Sequence, residues 1–472
     1  MGGYPDRCQL TVVATFHHSR STRGWRVDGS SHLRSAGHIC AAGARGRRWP
    51  VPRHGRNDRG GAGFVTPQRA TRPWLAVVAA GLAVGCGAEP PATEITLVLA
   101  GQALIKVDPR LSWPDPFGSL RPILESADVA FTNFEMAVKS EVDACGVPDE
   151  YEVLLGEPRL GRDQRLGNSG GPHAVDAGVM DFLASFGFDL MSISNNHAWD
   201  LGDCGVAATR AAADARGVRY AGAGPDLAAA TAPGYLTVRG VTIGLVAATT
   251  SHDERDAIHH AVNGVWTGRQ DDWDRNLEAV REAATRADFV IYYQHFQIDL
   301  DEFDSIAPGE ATADGHVRVD DVAGWQSDFA RAVIDAGASM YVGHGHRAFD
   351  GIEVYRGRPI IRQLGGLAYQ GLRPGIGAYE QYRPWQGLLA ELTIRGGAAL
   401  RIEFTPLELD EGEAYRSEHG DVEFLRRRGL AEVAVGGEAA WILARLRDLS
   451  GEYGTEITIA GGRAVLDLAP GG

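Results

Sequence analysis

What most restricts the fold of this chain is an alternation between residues 94 and 410. Short apolar runs of strand length are followed by stretches with helical spacing, and several runs stop abruptly at imidazole or amide side chains. The apolar runs fall at 95–99, 127–132, 188–193, 235–238, 241–247, 289–293 and 340–342, then at 351–355, 359–364, 387–394 and 399–406. Helical spacing occurs at 174–186, 206–216, 271–287 and 326–336. Strands alternating with helices predict an α/β sheet. The last runs are separated by hairpin-length gaps such as Arg395-Gly396-Gly397, so the sheet system is expected to be mixed, with helices outside. A segment of this length suits one large domain of two packed sheets. Residues 411–472 hold a helical stretch at 438–449 and a hairpin-like end at 455–459 and 463–466, which predicts a small C-terminal appendage.

The run 188–193 leads into Asn195-Asn196-His197-Ala198-Trp199-Asp200, the run 289–293 into Gln294-His295, and 340–342 into Gly343-His344-Gly345-His346. Polar groups just past strand ends are where α/β proteins assemble sites. Gly345 separates two imidazoles on one turn and lets the backbone bend. That spacing suits a borderline divalent cation such as zinc or manganese better than calcium or magnesium. Two histidines on a glycine-rich loop can also form a hydrogen-bonded turn, and His295 can be a satisfied core histidine. Three such strand ends together favour a site. His197 has no evident packing purpose after an apolar strand. Glu135, at a further strand end, is either functional or solvated. Arg347, Arg358 and Arg362 flank the same region, where they can read a phosphate or carboxylate or pair with surplus acids. His252, His259, His260, His316 and His419 are read as surface histidines, and the acidic run 299–304 as a solvated loop.

The first 64 residues, crowded with Arg, Gly, Ser and His, show no sustained period and are expected to be a mistranslated or disordered leader. Residues 65–86 have the order of a secretory signal: basic residues, a short apolar run from Trp74 to Val84, then small residues before Cys86. Cys86 after Ala83-Val84-Gly85 resembles a lipobox, which predicts a lipid-anchored protein of the bacterial envelope; an ordinary cleaved signal or an uncleaved anchor are the alternatives. Charge follows the same division. Residues 1–85 hold 13 Arg and no Lys against three Asp and no Glu, so of the whole chain's −15 the remainder carries −25. A body that acidic argues against a nucleic-acid partner. Beyond Cys86 only Cys145 and Cys204 remain, either as a disulfide suited to an exported protein or as two unlinked thiols.

Taken in order, the motifs are a strand ending in Gly101-Gln102, Asn133-Phe134-Glu135, Asn195-Asn196-His197 with Asp200 and Gly202, strand-end His295, Gly343-His344-Gly345-His346, and Gly351-Ile352-Glu353-Val354-Tyr355. This order resembles the CapA-type proteins of poly-γ-glutamate capsule synthesis, relatives of the calcineurin-like metallophosphatases. The resemblance implies a four-layer α/β/β/α sandwich of two mixed sheets. It also implies one or two divalent ions (Mn, Fe or Zn) held by Asn196, His295, His344 and His346, with Glu135 ligating or orienting. His197 would protonate a leaving group, and Asp200 would hold that imidazole's orientation. Arg347 and Arg362 are the expected substrate contacts. The implied activity is a metal-dependent hydrolase or transferase acting on a phosphoester or on an anionic polymer, beside envelope polymer-synthesis proteins; the alternative is a non-catalytic polymer-binding or tethering accessory. Several departures bear on this: Gln102 stands where the family commonly has Asp, no Asp-x-His follows the first strand, no proline precedes His346, and Gly366 stands where Asn is usual.

Overall fold

A computed structural model describes residues 92–140, 145, 173–250, 260–265, 269–296, 320–345, 348–370, 385–410 and 428–468. The leader, the signal region with Cys86, His346, Arg347 and the acidic run 299–304 lie outside the described residues. Along the chain the strands are β1 Glu94–Leu104, β2 Val129–Phe134, β3 Ala137–Val138, β4 Ala174–Val175, β5 Phe188–Ser192 and β6 Arg219–Ala221. There follow β7 Gly234–Val238, β8 Val241–Thr250, β9 Phe289–Phe296, β10 Met340–Gly345, β11 Ile352–Tyr355 and β12 Arg358–Ile361. The last are β13 Gly366–Tyr369, β14 Gln386–Arg395, β15 Ala398–Leu409, β16 Ala431–Val433, β17 Thr458–Ala460 and β18 Arg463–Asp467. The helices are α1 Arg121–Ser126, α2 Gly178–Ala184, α3 Gly202–Ala215, α4 Leu227–Thr231, α5 Gln270–Ala284, α6 Asp320–Ala336 and α7 Gly436–Glu452. None of the helices described is long and apolar enough to cross a membrane.

The result is a mixed α/β fold. A ten-stranded sheet runs β17-β18-β15-β14-β1-β2-β5-β6, with β13 beside β1 and β16 beside β15; a six-stranded sheet runs β11-β12-β10-β9-β8-β7. The strands that carry the site motifs pair in parallel, β1 with β2 and β2 with β5, and β8 with β9 and β9 with β10. Each set therefore points its C-terminal ends the same way within its sheet, which gathers the polar tails of that sheet into one layer.

Alternation along β1 explains its nearly unbroken apolar run. Leu97 and Leu99 join a core shared with Phe131, Leu190, Ile291, Tyr293, Met340 and Val342 from both sheets. Val98 and Ala100 face a second core with Phe182 and Leu183 of α2 and Val206 and Ala213 of α3. A third core packs Val246, Tyr292 and Tyr341 against Val280 and Ala283 of α5 and Phe329 and Val333 of α6. Strands buried on both faces lose the apolar–polar alternation. Each fully buried Leu, Ile or Phe contributes roughly 1.5–3 kcal/mol.

Local chemistry sets the element ends. The first turn of α5 carries Asp271 and Asp272 and its last turn Arg281, each opposite in sign to the helix dipole at that end. The β11–β12 hairpin turns on Arg356 and Gly357, at φ 50 and 73, the two positive values that a two-residue loop demands. Two expectations are corrected. The helical pattern at 174–186 begins as β4 and becomes helix only at Gly178, because Ala174 and Val175 pair with β3. The C-terminal segment is no appendage: β18 pairs with β15, and Ile442, Leu443 and Leu446 of α7 enter the core between the sheets. An unpaired β15 edge would expose a row of main-chain donors and acceptors, and β18 covers it.

Candidate functional site

Past β5 the chain is held by one buried carboxamide. Asn195 donates from Nδ2 to the Phe134 carbonyl at 2.8 Å and to Asn133 Oδ1 at 3.2 Å, while its Oδ1 accepts the His197 main-chain N–H at 3.0 Å. Two main-chain partners of opposite kind leave that amide a single orientation. Asn133 is thereby oriented as well, with Nδ2 3.4 Å from His295 Nδ1. The network assigns Nδ1 of His295 as the acceptor, so the ring proton sits on Nε2, 3.8 Å from Glu135 Oε1. Orientation thus passes from the backbone through two amides to an imidazole.

Two residues further, His197 Nδ1 lies 2.7 Å from Asp200 Oδ2. The Asp200 side chain is fully buried, whereas that of His197 is 13% exposed, so a sequestered carboxylate orients an imidazole that solvent still reaches. The same Oδ2 accepts the His173 main-chain N–H at 2.6 Å, and the His173 ring stacks on that of His197 with centroids 3.5 Å apart and planes inclined by 17°. Lys106 faces this cluster: burial pushes its amine down to about 8, with the Asp200 charge pulling the other way. The loop closes onto α3 through Asp203, which accepts from Trp199 Nε1 at 2.8 Å and lies 2.7 Å from His260 Nε2. Next to it, Cys204 is joined to Cys145 by a disulfide.

On the six-stranded sheet, His295 and His344 are register partners on adjacent parallel strands, and both are fully buried. The His344 ring packs 5.3 Å from that of Tyr293 and 6.5 Å from that of Phe131. Neither of its nitrogens has a hydrogen-bond partner among the described residues, and burial lowers its pKa to about 3, which keeps the imidazole neutral. Glycines flank it for a steric reason. A Cβ on Gly343 would meet the Arg362 carbonyl oxygen at 2.0 Å, and Gly345, at φ +124, would meet that of Phe296 at 2.2 Å. Gln102 ties the two sheets together here, its Oε1 accepting the Gly345 N–H at 2.8 Å.

The loops bring together Glu135, Asn133, Asn195 and His295, and beside them His197, Asp200, His173 and Lys106. Asn196, the amide expected to be a ligand, has a buried Oδ1 with no hydrogen-bond partner among the described residues. Arg362 does not join them. Its Nη2 donates to Glu353 and to Ser327 Oγ, its guanidinium lies 4.0 Å from the Tyr453 ring centroid, and it is 1% exposed. An Arg362 so engaged is a structural ion pair rather than a substrate contact. Asn195, His173 and Lys106 were missed by sequence reasoning. Only Asn195 left a trace, as the first of two consecutive amides.

The divalent metal implied by the resemblance can be tested against these donors. His344, neutral and with both nitrogens unpartnered among the described residues, suits a ligand. The Gln102 oxygen is already engaged by the Gly345 N–H. Among the described residues, no three His, Cys, Asp or Glu side chains converge closely enough to hold an ion. The described residues alone do not fit a metal centre.

The chain matches the family model described as bacterial capsule synthesis protein PGA_cap over residues 96–370, from β1 through β13 and every motif named above. It belongs to that family. Among its relatives, an uncharacterized protein of Sinorhizobium fredii is 25% identical, with 77% of this chain and 91% of that protein covered. A probable polyglutamine synthesis accessory protein of Mycobacterium tuberculosis is 34% identical over 50% of this chain and 60% of its own length. The PGA biosynthesis protein CapA of Bacillus subtilis is 27% identical, covering 66% of this chain and 70% of that one.

Proposed function

We propose that this member of the capsule-synthesis family is an exported, lipid-anchored protein that works beside envelope polymer-synthesis proteins and acts on a poly-γ-glutamate-type polymer or a related phosphoester by acid–base chemistry at His197. The observation that carries this reading is the His197–Asp200 pair. Nδ1 of His197 is hydrogen-bonded to the buried Asp200, and the imidazole is partly open to solvent. A protonated Nε2 would give its proton to a departing amine or alkoxide, and the neutral ring would take one from water. Asp200 stays ionised and stabilises the imidazolium, as in other His–carboxylate pairs. Groups in this role contribute about 10²–10⁴ in rate. We also infer the four-layer order α/β/β/α, from a helix-covered core on one face of each sheet and the core that both sheets share.

A second reading, polymer binding without turnover, is favoured by Gln102, which is neutral where the resemblance calls for a carboxylate and whose amide straps β1 to β10. Incubating the full-length protein with poly-γ-glutamate and following chain length separates the two. Under the first reading the polymer shortens, and His197→Ala slows this by about 10²–10⁴ while its far-ultraviolet circular dichroism stays that of a folded protein. Under the second, both proteins retain the polymer and neither shortens it.

A further inference from the structure

We propose that His173 is a positioning residue for His197, serving as the flat platform that fixes the imidazole in the rotamer its acid–base role needs. The inference rests on the reading of His197 given above. An imidazole held by one hydrogen bond can still swing about χ2, whose wells are broad and roughly two-fold. Here a second constraint is present: the His173 ring lies nearly parallel at 3.5 Å. The same residue also steadies the acceptor, since its main-chain N–H and His197 Nδ1 converge on Asp200 Oδ2 at 2.6 and 2.7 Å. His173 thus holds both partners of the bond, one through its ring and the other through its backbone.

The way His173 is placed supports the assignment. The two-stranded sheet of β3 and β4 is only two residues long on each side. Pairs that short bury little of their own. Yet the Ala137 N–H donates to the His173 carbonyl at 2.9 Å, and Ala137 is in register with Ala174. β3 begins two residues after Glu135, so this small sheet locks the residue above Asp200 to the strand end that carries Glu135. His173 itself is 5% exposed.

The test reads the Nδ1 proton of His197 by nuclear magnetic resonance in full-length protein labelled with ¹⁵N-histidine, the resonance being identified by its loss in His197→Gln. A flat ring without ring nitrogens, His173→Phe, is expected to keep the resonance and its slow exchange with water. His173→Ala is expected to lose it while the far-ultraviolet circular dichroism stays as in the wild type. Should the alanine variant unfold, His173→Leu fills the space without a flat face, and its proton is expected to exchange faster than in His173→Phe. An Nδ1 proton that exchanges equally slowly with alanine or leucine at 173 overturns the proposal. Because no turnover is read, a protein that binds polymer without cleaving it still reveals whether His173 holds the ring, and failure of the catalytic reading shows separately in the polymer assay.

Discussion

The polar layer past the strand ends has two unlike halves. On the ten-stranded sheet, Asn133, Asn195, His197 and Asp200 bond to one another and to main-chain groups, and of the loop that follows β5 only Asp200 Oδ1 and Asn196 Oδ1 are left over among the described residues. On the six-stranded sheet, His344 and Gln363 are as deeply buried, yet neither nitrogen of the one nor either amide atom of the other has a hydrogen-bond partner among those residues. Leaving a buried polar group unpaired costs about 1–3 kcal/mol. The first half therefore owes its geometry to its own bonds, and the second to the strands and glycines that carry it. Equivalent substitutions should have opposite consequences in the two.

The largest effect is expected where the bonded half loses its centre. Asp200→Ala leaves the His173 N–H and the His197 ring without their acceptor, at about 1–3 kcal/mol each, a loss that urea unfolding should show. A loss below about 1 kcal/mol, the size of one ordinary hydrogen bond, would mean that the network is ornamental. Lys106 probes the same half through pH. Its amine titrates near 8 in the folded protein against 10.5 ordinarily. Between those values the unfolded chain binds the extra proton, so stability rises with pH across that window; below it both states are charged and the burial penalty is fully felt. Lys106→Met should flatten that rise, a difference on the order of 3 kcal/mol between its two ends. The smallest effect belongs to the other half. His344→Leu puts an apolar side chain between Tyr293 and Phe131 and should change stability by less than about 1 kcal/mol, or raise it. A loss like that of Asp200→Ala would erase the contrast between the halves.

Much of this was legible from the chain itself. Apolar runs ending in polar residues located β2, β5, β9 and β10, because burial on both faces writes an unbroken apolar string. The pairing of His197 with Asp200 came with the family resemblance, and the structure places the two 2.7 Å apart. Adjacent amides are another matter: nothing in Asn195-Asn196 says which side chain points inward, and it is Asn195 that orients the loop. His173 was hidden because Ala174-Val175 fits a helix as well as a two-residue strand, and the deciding partner, Ala137, lies far off in sequence. Arg362 misled for the converse reason. It follows a strand end close to the site in sequence, but its guanidinium is turned toward Glu353. Lys106 carries no motif, and only the packing around Asp200 gives it significance.

The Cys145–Cys204 link gives the molecule a sense of timing. Its partners are 59 positions apart. Closing a loop of that length in advance spares the chain an ordering entropy on the order of 4 kcal/mol. Without the link, the segment of Cys145 must be held against α3 by packing alone; once oxidised, the chain starts any refolding with the two segments already tethered. Ordering of the segment beside the pocket is thereby coupled to oxidation, and the same protein has a different tolerance to heat in reducing and in oxidising surroundings.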